Sequence, residues 1–257
     1  MFAATVPTGP LGRLVATLWS HEGPVGTHAT DLRLPTGDTE LVLVLGDRPR
    51  AVVVGPTTRA FELATADQSD AVGVSFRVGG AAALLGLPPG ELRDRQAALE
   101  LAWGAGEADR LVAQALAARG PAERLAAVQR VLTRRLAAVA RPPHPAAVRA
   151  AARVAAAPEG LRVAAVAGAL GLSVRRFEQI FAADVGVTPK AYQRLHRFRR
   201  TLERVDEAAR IGWAAFALER GYADQAHLIG EFRAHAGLTP TAYASARGPM
   251  LNHVALP

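Results

Sequence analysis

The 257-residue chain has no cysteine and a single lysine, Lys190. Without thiols it can have no disulfide framework, no cysteine-ligated zinc or iron–sulfur centre and no thiol nucleophile. Stretches free of charged residues run to about 13 positions, as from Val78 to Gly90, well short of the ~20 apolar residues of a spanning helix. The N-terminal Met1-Phe2-Ala3-Ala4 lacks the basic region and long apolar run of a secretory signal. A cytoplasmic protein without membrane association is the expectation. Catalytic signatures are scarce too. The serines are Ser20, Ser69, Ser75, Ser173 and Ser245, none within Gly-x-Ser-x-Gly, and there is neither a Gly-rich phosphate loop nor a His-Glu-x-x-His pair. The first half holds only His21 and His28, without a His-x-His pair or carboxylates at ligand spacing, so both are expected to be surface or structural histidines. No catalytic residue, metal or cofactor is expected.

What is present is arginine. Lys+Arg total 30 against 23 Asp+Glu, a formal charge of +7. The preference for arginine over lysine fits a GC-rich genome; its position carries more information. Residues 1–141 hold 15 basic and 14 acidic side chains (+1), whereas residues 142–257 hold 15 and 9 (+6). A polyanion would therefore bind the second half.

The prolines of Arg141-Pro142-Pro143-His144-Pro145 cannot continue a helix and favour a stiff extended segment. A domain boundary is placed there, giving domains 1–141 and 142–257. Before it, Leu41–Leu45 and Ala51–Val54 flank the turn residues Gly46-Asp47-Arg48-Pro49, the pattern of a hairpin in an antiparallel sheet, with another strand expected over Ala71–Val78. Helices are expected over Glu107–Arg119 and Pro121–Ala140. In the second, Leu125, Val128, Leu132, Leu136 and Val139 form one apolar stripe, which packs on its own domain or makes a dimer seam.

After the linker the pattern is helical and repeats. Gly186-Val187-Thr188-Pro189-Lys190-Ala191-Tyr192 returns as Gly237-Leu238-Thr239-Pro240-Thr241-Ala242-Tyr243, and Phe181 and Ala183 match Phe232 and Ala234. In each copy a small-residue helix ends at a glycine, Gly171 or Gly221. A capping Ser173 or Asp224 then opens a second helix, which ends at Gly186 or Gly237, and Thr-Pro opens a third. Helix, short turn, helix is the arrangement whose second helix enters a DNA major groove. Phe177, Ile180 and Phe181 form the inward stripe of the first such reader, leaving Arg175, Arg176, Glu178 and Gln179 able to reach phosphates and base edges. On the second reader Leu228, Ile229 and Phe232 are expected inward, with Gln225, His227, Gly230 and Glu231 outward. A long helix over Pro189–Val205 connects the readers and carries Arg194, Arg197, Arg199, Arg200 and Arg204, with Arg197, Arg199 and Arg200 expected to bind DNA and Arg199 expected on a phosphate.

The segment from about His144 to Arg247 resembles the DNA-binding domain of AraC-type transcriptional regulators. Its marks are Gly221-Tyr222-Ala223-Asp224-Gln225-Ala226-His227-Leu228 through Phe232 to Gly237-Leu238-Thr239-Pro240-Thr241-Ala242-Tyr243, in both copies. The resemblance implies base-facing positions at Arg175, Glu178 and Gln179, with Arg176 nearby, and at Gln225, Ala226, His227 and Gly230. Where this chain has Gly230 the family often has arginine or another polar residue, so the second reader is expected to contact mainly phosphates. Residues 11–100, with Leu34-Pro35-Thr36-Gly37-Asp38-Thr39-Glu40 and Gly55-Pro56-Thr57-Thr58-Arg59, resemble the cupin-like N-terminal domain of one branch of that family. The expected fold class is α+β: a β-rich cupin-like domain with a helical extension, then an all-α domain of two helix-turn-helix units joined by a long helix. The expected function is a sequence-specific transcription regulator acting on double-stranded DNA. A small-molecule effector and a homodimer are what the resemblance implies for the first domain; whether its barrel holds a ligand or is filled by its own side chains stays open at this level. Rival readings are an interaction protein that contacts RNA polymerase, and a small-molecule-binding barrel to which DNA binding is incidental.

Overall fold

The computed structural model describes residues 1–23, 30–139, 141–157, 161–248 and 250–256; His28 lies outside them. The first half runs β1 (Phe2–Thr5), β2 (Val15–Glu22), β3 (Thr30–Arg33), β4 (Glu40–Val44), β5 (Arg50–Val54), β6 (Phe61–Ala64), β7 (Asp70–Phe76), α1 (Gly80–Leu85), β8 (Gln96–Ala98), α2 (Glu100–Trp103), α3 (Ala105–Ala117) and α4 (Gly120–Arg135). Six of these strands form an antiparallel sheet in the order β1-β2-β7-β4-β5-β8. The expected hairpin is β4–β5, in register from Glu40↔Val54 to Val44↔Arg50. Alternation sorts its two faces. Leu41, Leu43, Val72 and Val74 are fully buried in one core with Leu111 of α3 and Leu125, Val128 and Leu132 of α4. The α4 stripe therefore packs on its own sheet, with Leu136 and Val139 against the same core.

The opposite face of the sheet is turned away from α3 and α4. There Gly73 of β7 lies under Trp19 of β2, and a Cβ on Gly73 would fall 2.0 Å from the indole. Glycine is required at this strand position because the ring occupies the space of a side chain. A second sheet, β6-β3-β9, covers this face. Its edge strand β9 (His253–Leu256) comes from the far end of the chain and pairs with β3 from Thr30↔Leu256 to Arg33↔His253. The segment expected to be all helical thus gives one strand to the β-rich half.

The second half runs α5 (Pro145–Ala156), α6 (Val163–Ala169), α7 (Val174–Val185), α8 (Pro189–Glu203), α9 (Glu207–Ile211), α10 (Trp213–Glu219), α11 (Gln225–Ala236) and α12 (Pro240–Ala246). It has two cores, one per repeat unit. Ala150, Val154, Val166, Phe177, Phe181 and Tyr192 belong to the first, and Phe216, Leu228, Phe232 and Tyr243 to the second. The long helix α8 serves both, placing Tyr192 in the first and Leu195, Phe198 and Leu202 in the second. Leu34, just beyond β3, is fully buried in that second core. Among the described residues no helix is long and apolar enough to cross a membrane.

Candidate nucleic-acid interface

The two units are built by the same local chemistry. Gly171 (φ +69°) and Gly221 (φ +76°) turn the chain in the left-handed region after α6 and α10. Ser173 Oγ then accepts from the Arg176 amide at 3.3 Å, and Asp224 Oδ1 from the His227 amide at 2.7 Å, opening the two readers α7 and α11. Both readers end at left-handed glycines, Gly186 (φ +85°) and Gly237 (φ +70°). Thr188 and Thr239 cap the next helices at 3.2 and 3.1 Å, each followed by proline. Even the ring pair inside each unit is preserved: Phe181 and Tyr192 have centroids 5.4 Å apart, Phe232 and Tyr243 5.6 Å.

The first reader presents its expected face. Phe177, Ile180 and Phe181 are buried, while Arg175, Arg176, Glu178 and Gln179 are exposed. Neither Arg175 nor Arg176 makes an ion pair among the described residues, and both lie in the first turns, where the helix dipole favours an anion. On the second reader Leu228 and Phe232 are buried and Ile229 half-buried; Gln225, Ala226 and Gly230 are exposed. Nothing lies within 4 Å of a Cβ built on Gly230. His227 is partly exposed and already engaged: its Nδ1 accepts from the Ala223 amide at 3.1 Å, and its Nε2 lies 3.5 Å from Glu231 Oε1.

Glu231 is a correction to the expected outward set. Its side chain is 7% exposed and receives Arg197 Nη2 at 2.6 Å and Arg194 Nε at 2.7 Å. Burial alone would raise the Glu231 carboxyl, but the hydrogen bond and charge of Arg197, then those of Arg194, outweigh it and hold its pKa below the usual value. A sequence signal for this existed, since positions 228, 231, 232 and 235 share one helical face. Arg197 is corrected with it. Expected on DNA, it is 10% exposed, donates to the Gly221 carbonyl at 3.2 Å and lies 4.7 Å over the Tyr222 ring. It fastens the turn and the second reader to α8. Arg199 also turns inward, donating to the Thr36 carbonyl at 3.0 Å and pairing with Asp38 at 3.4 Å in the first half. Arg200 donates to the Ala156 carbonyl at 3.1 Å, and Arg204 pairs with Glu207 at 3.1 Å. The arginines of α8 hold the protein together, and those of α7 remain outward.

The far ends of both readers are fixed to the first half. Asp184 of α7 pairs with Arg141 at 2.6 Å and accepts from the His144 amide, while its carbonyl receives the Gly79 amide at 3.1 Å. The backbone of Gly186 packs against Pro56 and Pro89, so closely that a Cβ would fall 2.7 Å from Pro56 Cγ. At the end of α11, burial depresses the His235 pKa, and the neutral ring donates from Nδ1 to the Thr58 carbonyl at 2.7 Å. The same loop, residues 55–60, thus touches the ends of both readers.

Residues 166–246 match a family described as a helix-turn-helix domain, and residues 4–98 a family described as a domain of unknown function. The C-terminal part of the chain is an AraC-type helix-turn-helix domain. Domains of this type belong to DNA-binding transcription regulators. No curated protein matches the chain. Among solved structures it is similar to the C-terminal domain of AraT, a response regulator from Geobacillus stearothermophilus, at 17% identity and TM-score 0.37 over 42% of this chain and 90% of that one. It is also similar to ToxT from Vibrio cholerae O395, at 9% identity and TM-score 0.42 over 94% of this chain and 96% of that one.

Beside the AraC-type domain, the open face of the six-stranded sheet forms one wall of a cavity of about 450 Å³. Thr17, Trp19 and His21 of β2 and Glu40, Val42 and Val44 of β4 line that wall; Arg33 of β3, Phe61 and Leu63 of β6, Met250 and Asn252 just before β9, and His253 of β9 line the other. Arg33 donates to Glu40 Oε2 at 2.7 Å, and Ser75 Oγ donates to Glu40 Oε1 at 3.1 Å. His21 Nδ1 lies 3.1 Å from the Ser69 carbonyl, which is a structural role for that histidine. Among the described residues no group of three or more His, Asp or Glu side chains could hold a metal ion.

In the helix-turn-helix domain Arg197 is held in a buried pair with Glu231. Arg197→Met removes one partner of a buried pair, a change that costs ~3–5 kcal/mol, measured by urea unfolding. Arg176→Ala, on the exposed reader face, stays within about 0.5 kcal/mol. Equal stabilities for the two variants would contradict the assignment.

Proposed function

We propose that the protein is a sequence-specific DNA-binding transcription regulator whose activity responds to a small molecule held in the cavity of its β-rich half. The observation that carries this reading is the contrast between two sets of arginines. Those of α8 are consumed by internal partners, whereas Arg175 and Arg176 stand exposed at the start of a capped reader helix. An outward guanidinium beside free helix amides is a site for a phosphate or a guanine edge. The exposed face of the first reader, with Glu178 and Gln179, supplies base readout; Gln225, Ala226, His227 and Gly230 of the second supply a shallower contact. The 15 residues of α8 span ~22 Å at 1.5 Å per residue, and with the readers at either end they fit successive major grooves about one turn apart. In support of an effector, the cavity volume falls within the ~300–1,000 Å³ of small-molecule sites.

DNA selected from a random pool, titrated by fluorescence anisotropy across salt concentrations, tests the reading. Affinity falls steeply with salt as counterions are released; no binding at low salt would overturn it. Arg175→Ala reduces discrimination between selected and random duplexes by ~1–3 kcal/mol, and equal losses on both would mean that Arg175 does not read bases.

Position 230 gives an independent test from gained contact. The site is open and its backbone unstrained, so Gly230→Arg adds a cation to the second reader without a clash. Binding tightens and the salt slope steepens by about one phosphate contact. Unchanged affinity would place α11 away from the DNA.

A further inference from the structure

We propose that the cavity takes an uncharged, largely apolar small molecule, and that the chain's C-terminal strand, as one of its walls, passes occupancy to the second reader. The proposal deepens the effector reading above and rests on it. The ligand class follows from the charges inside. Arg33 is already neutralised by Glu40 at 2.7 Å, and both are mostly buried. Burial, then the nearby Arg33 charge, lowers the pKa of His253, so that this ring enters the cavity neutral. Arg50 is exposed at the rim. Among the described residues, a charged ligand would meet no unpaired opposite charge in the interior, and it would lose its hydration. The remaining lining is mostly aromatic and aliphatic, led by Trp19 and Phe61, with Thr17, Gln68, Gln96 and Asn252 as uncharged hydrogen-bonding groups and His21, whose Nδ1 is engaged with the Ser69 carbonyl. At the edges of the cavity Phe2 and Met250 are 66% and 51% exposed and extend its apolar lining outward.

The coupling follows from the covalent route. Met250, Asn252 and His253 belong to the segment that leaves α12. Asn252 O receives the Leu34 amide at 2.8 Å, and β9 adds to β3, so this wall is hydrogen-bonded to the first half. Between these lining residues, the Leu251 carbonyl accepts from Tyr243 Oη at 2.7 Å. Tyr243 is fully buried, and its ring lies 5.6 Å from that of Phe232 on α11. A ligand that shifts or stiffens residues 250–253 therefore acts on α11 through one hydrogen bond and one ring contact.

The full-length protein is titrated with N-phenyl-1-naphthylamine, an uncharged fluorescent probe, and with its anionic relative anilinonaphthalene sulfonate. The uncharged probe binds at least tenfold tighter and slows hydrogen exchange in both β9 and α11. Leu63→Glu, which places a charge on the wall, weakens the uncharged probe at least tenfold, with circular dichroism checking the fold. Tyr243→Phe leaves probe affinity within twofold and protection in β9, but removes the protection in α11. No saturable binding, or equal affinity for the two probes, would overturn the ligand class; protection confined to the β-rich half of the wild type, or retained in α11 of Tyr243→Phe, would overturn the coupling. The regulator reading has its own readout. Loss of all DNA binding would refute it whatever the probe does.

Discussion

The arrangement of the DNA-facing half depends on α8 belonging to two cores at once. Tyr192 at its start is packed with Phe177 and Phe181, and Leu195, Phe198 and Leu202 are packed with Phe232 and its neighbours. Neither unit can rotate relative to the other without pulling one of these buried sets out of its core. Large buried side chains cost ~3–5 kcal/mol each when their packing is lost, so the spacing of the readers is held by apolar contact and not by the linker. The Arg197–Glu231 pair adds direction to that constraint. It sets the rotation of α11 about its axis, and with it the face that carries Gln225, Ala226 and Gly230.

The first half acts on this frame from outside. Its loop 55–60 touches Gly186 at the end of α7 and bonds His235 at the end of α11. Arg199 joins the middle of α8 to Thr36 and Asp38. Burial raises the Asp38 carboxyl above its usual value, and the Arg199 charge opposes that rise. Three separate contacts thus connect the β-rich half to the start, middle and end of the reading unit. The β5 and β6 strands that carry the loop also line the cavity.

Much of this architecture is legible in local chemistry alone. Glycine turns, Ser, Thr and Asp caps and the inward stripe of α7 are short-range features, and the repeat displays them twice. The hairpin β4–β5 is readable for the same reason. What local patterns do not encode is pairing at long separation. Arg199 and Thr36 are 163 positions apart, and nothing around either names the other; an arginine-rich helix between two readers looks outward until its partners are known. β9 is only four residues long and has no alternation that would mark it as a strand until β3 is beside it. The lining of the cavity is beyond the reach of sequence because it needs the strand order β2-β7-β4-β5 and a wall from the other end of the chain. Glu231 differs. Its place on the buried stripe of α11 is visible in the spacing, and its charge hides it.

Packed into both cores, α8 would hold the two readers on one face of the duplex. Hydroxyl-radical footprinting of the full-length protein on DNA selected from a random pool measures this most directly. The structure predicts two protected patches on the same face, with centres about 10 base pairs apart. A single patch shorter than half a turn, or two patches on opposite faces, would contradict it.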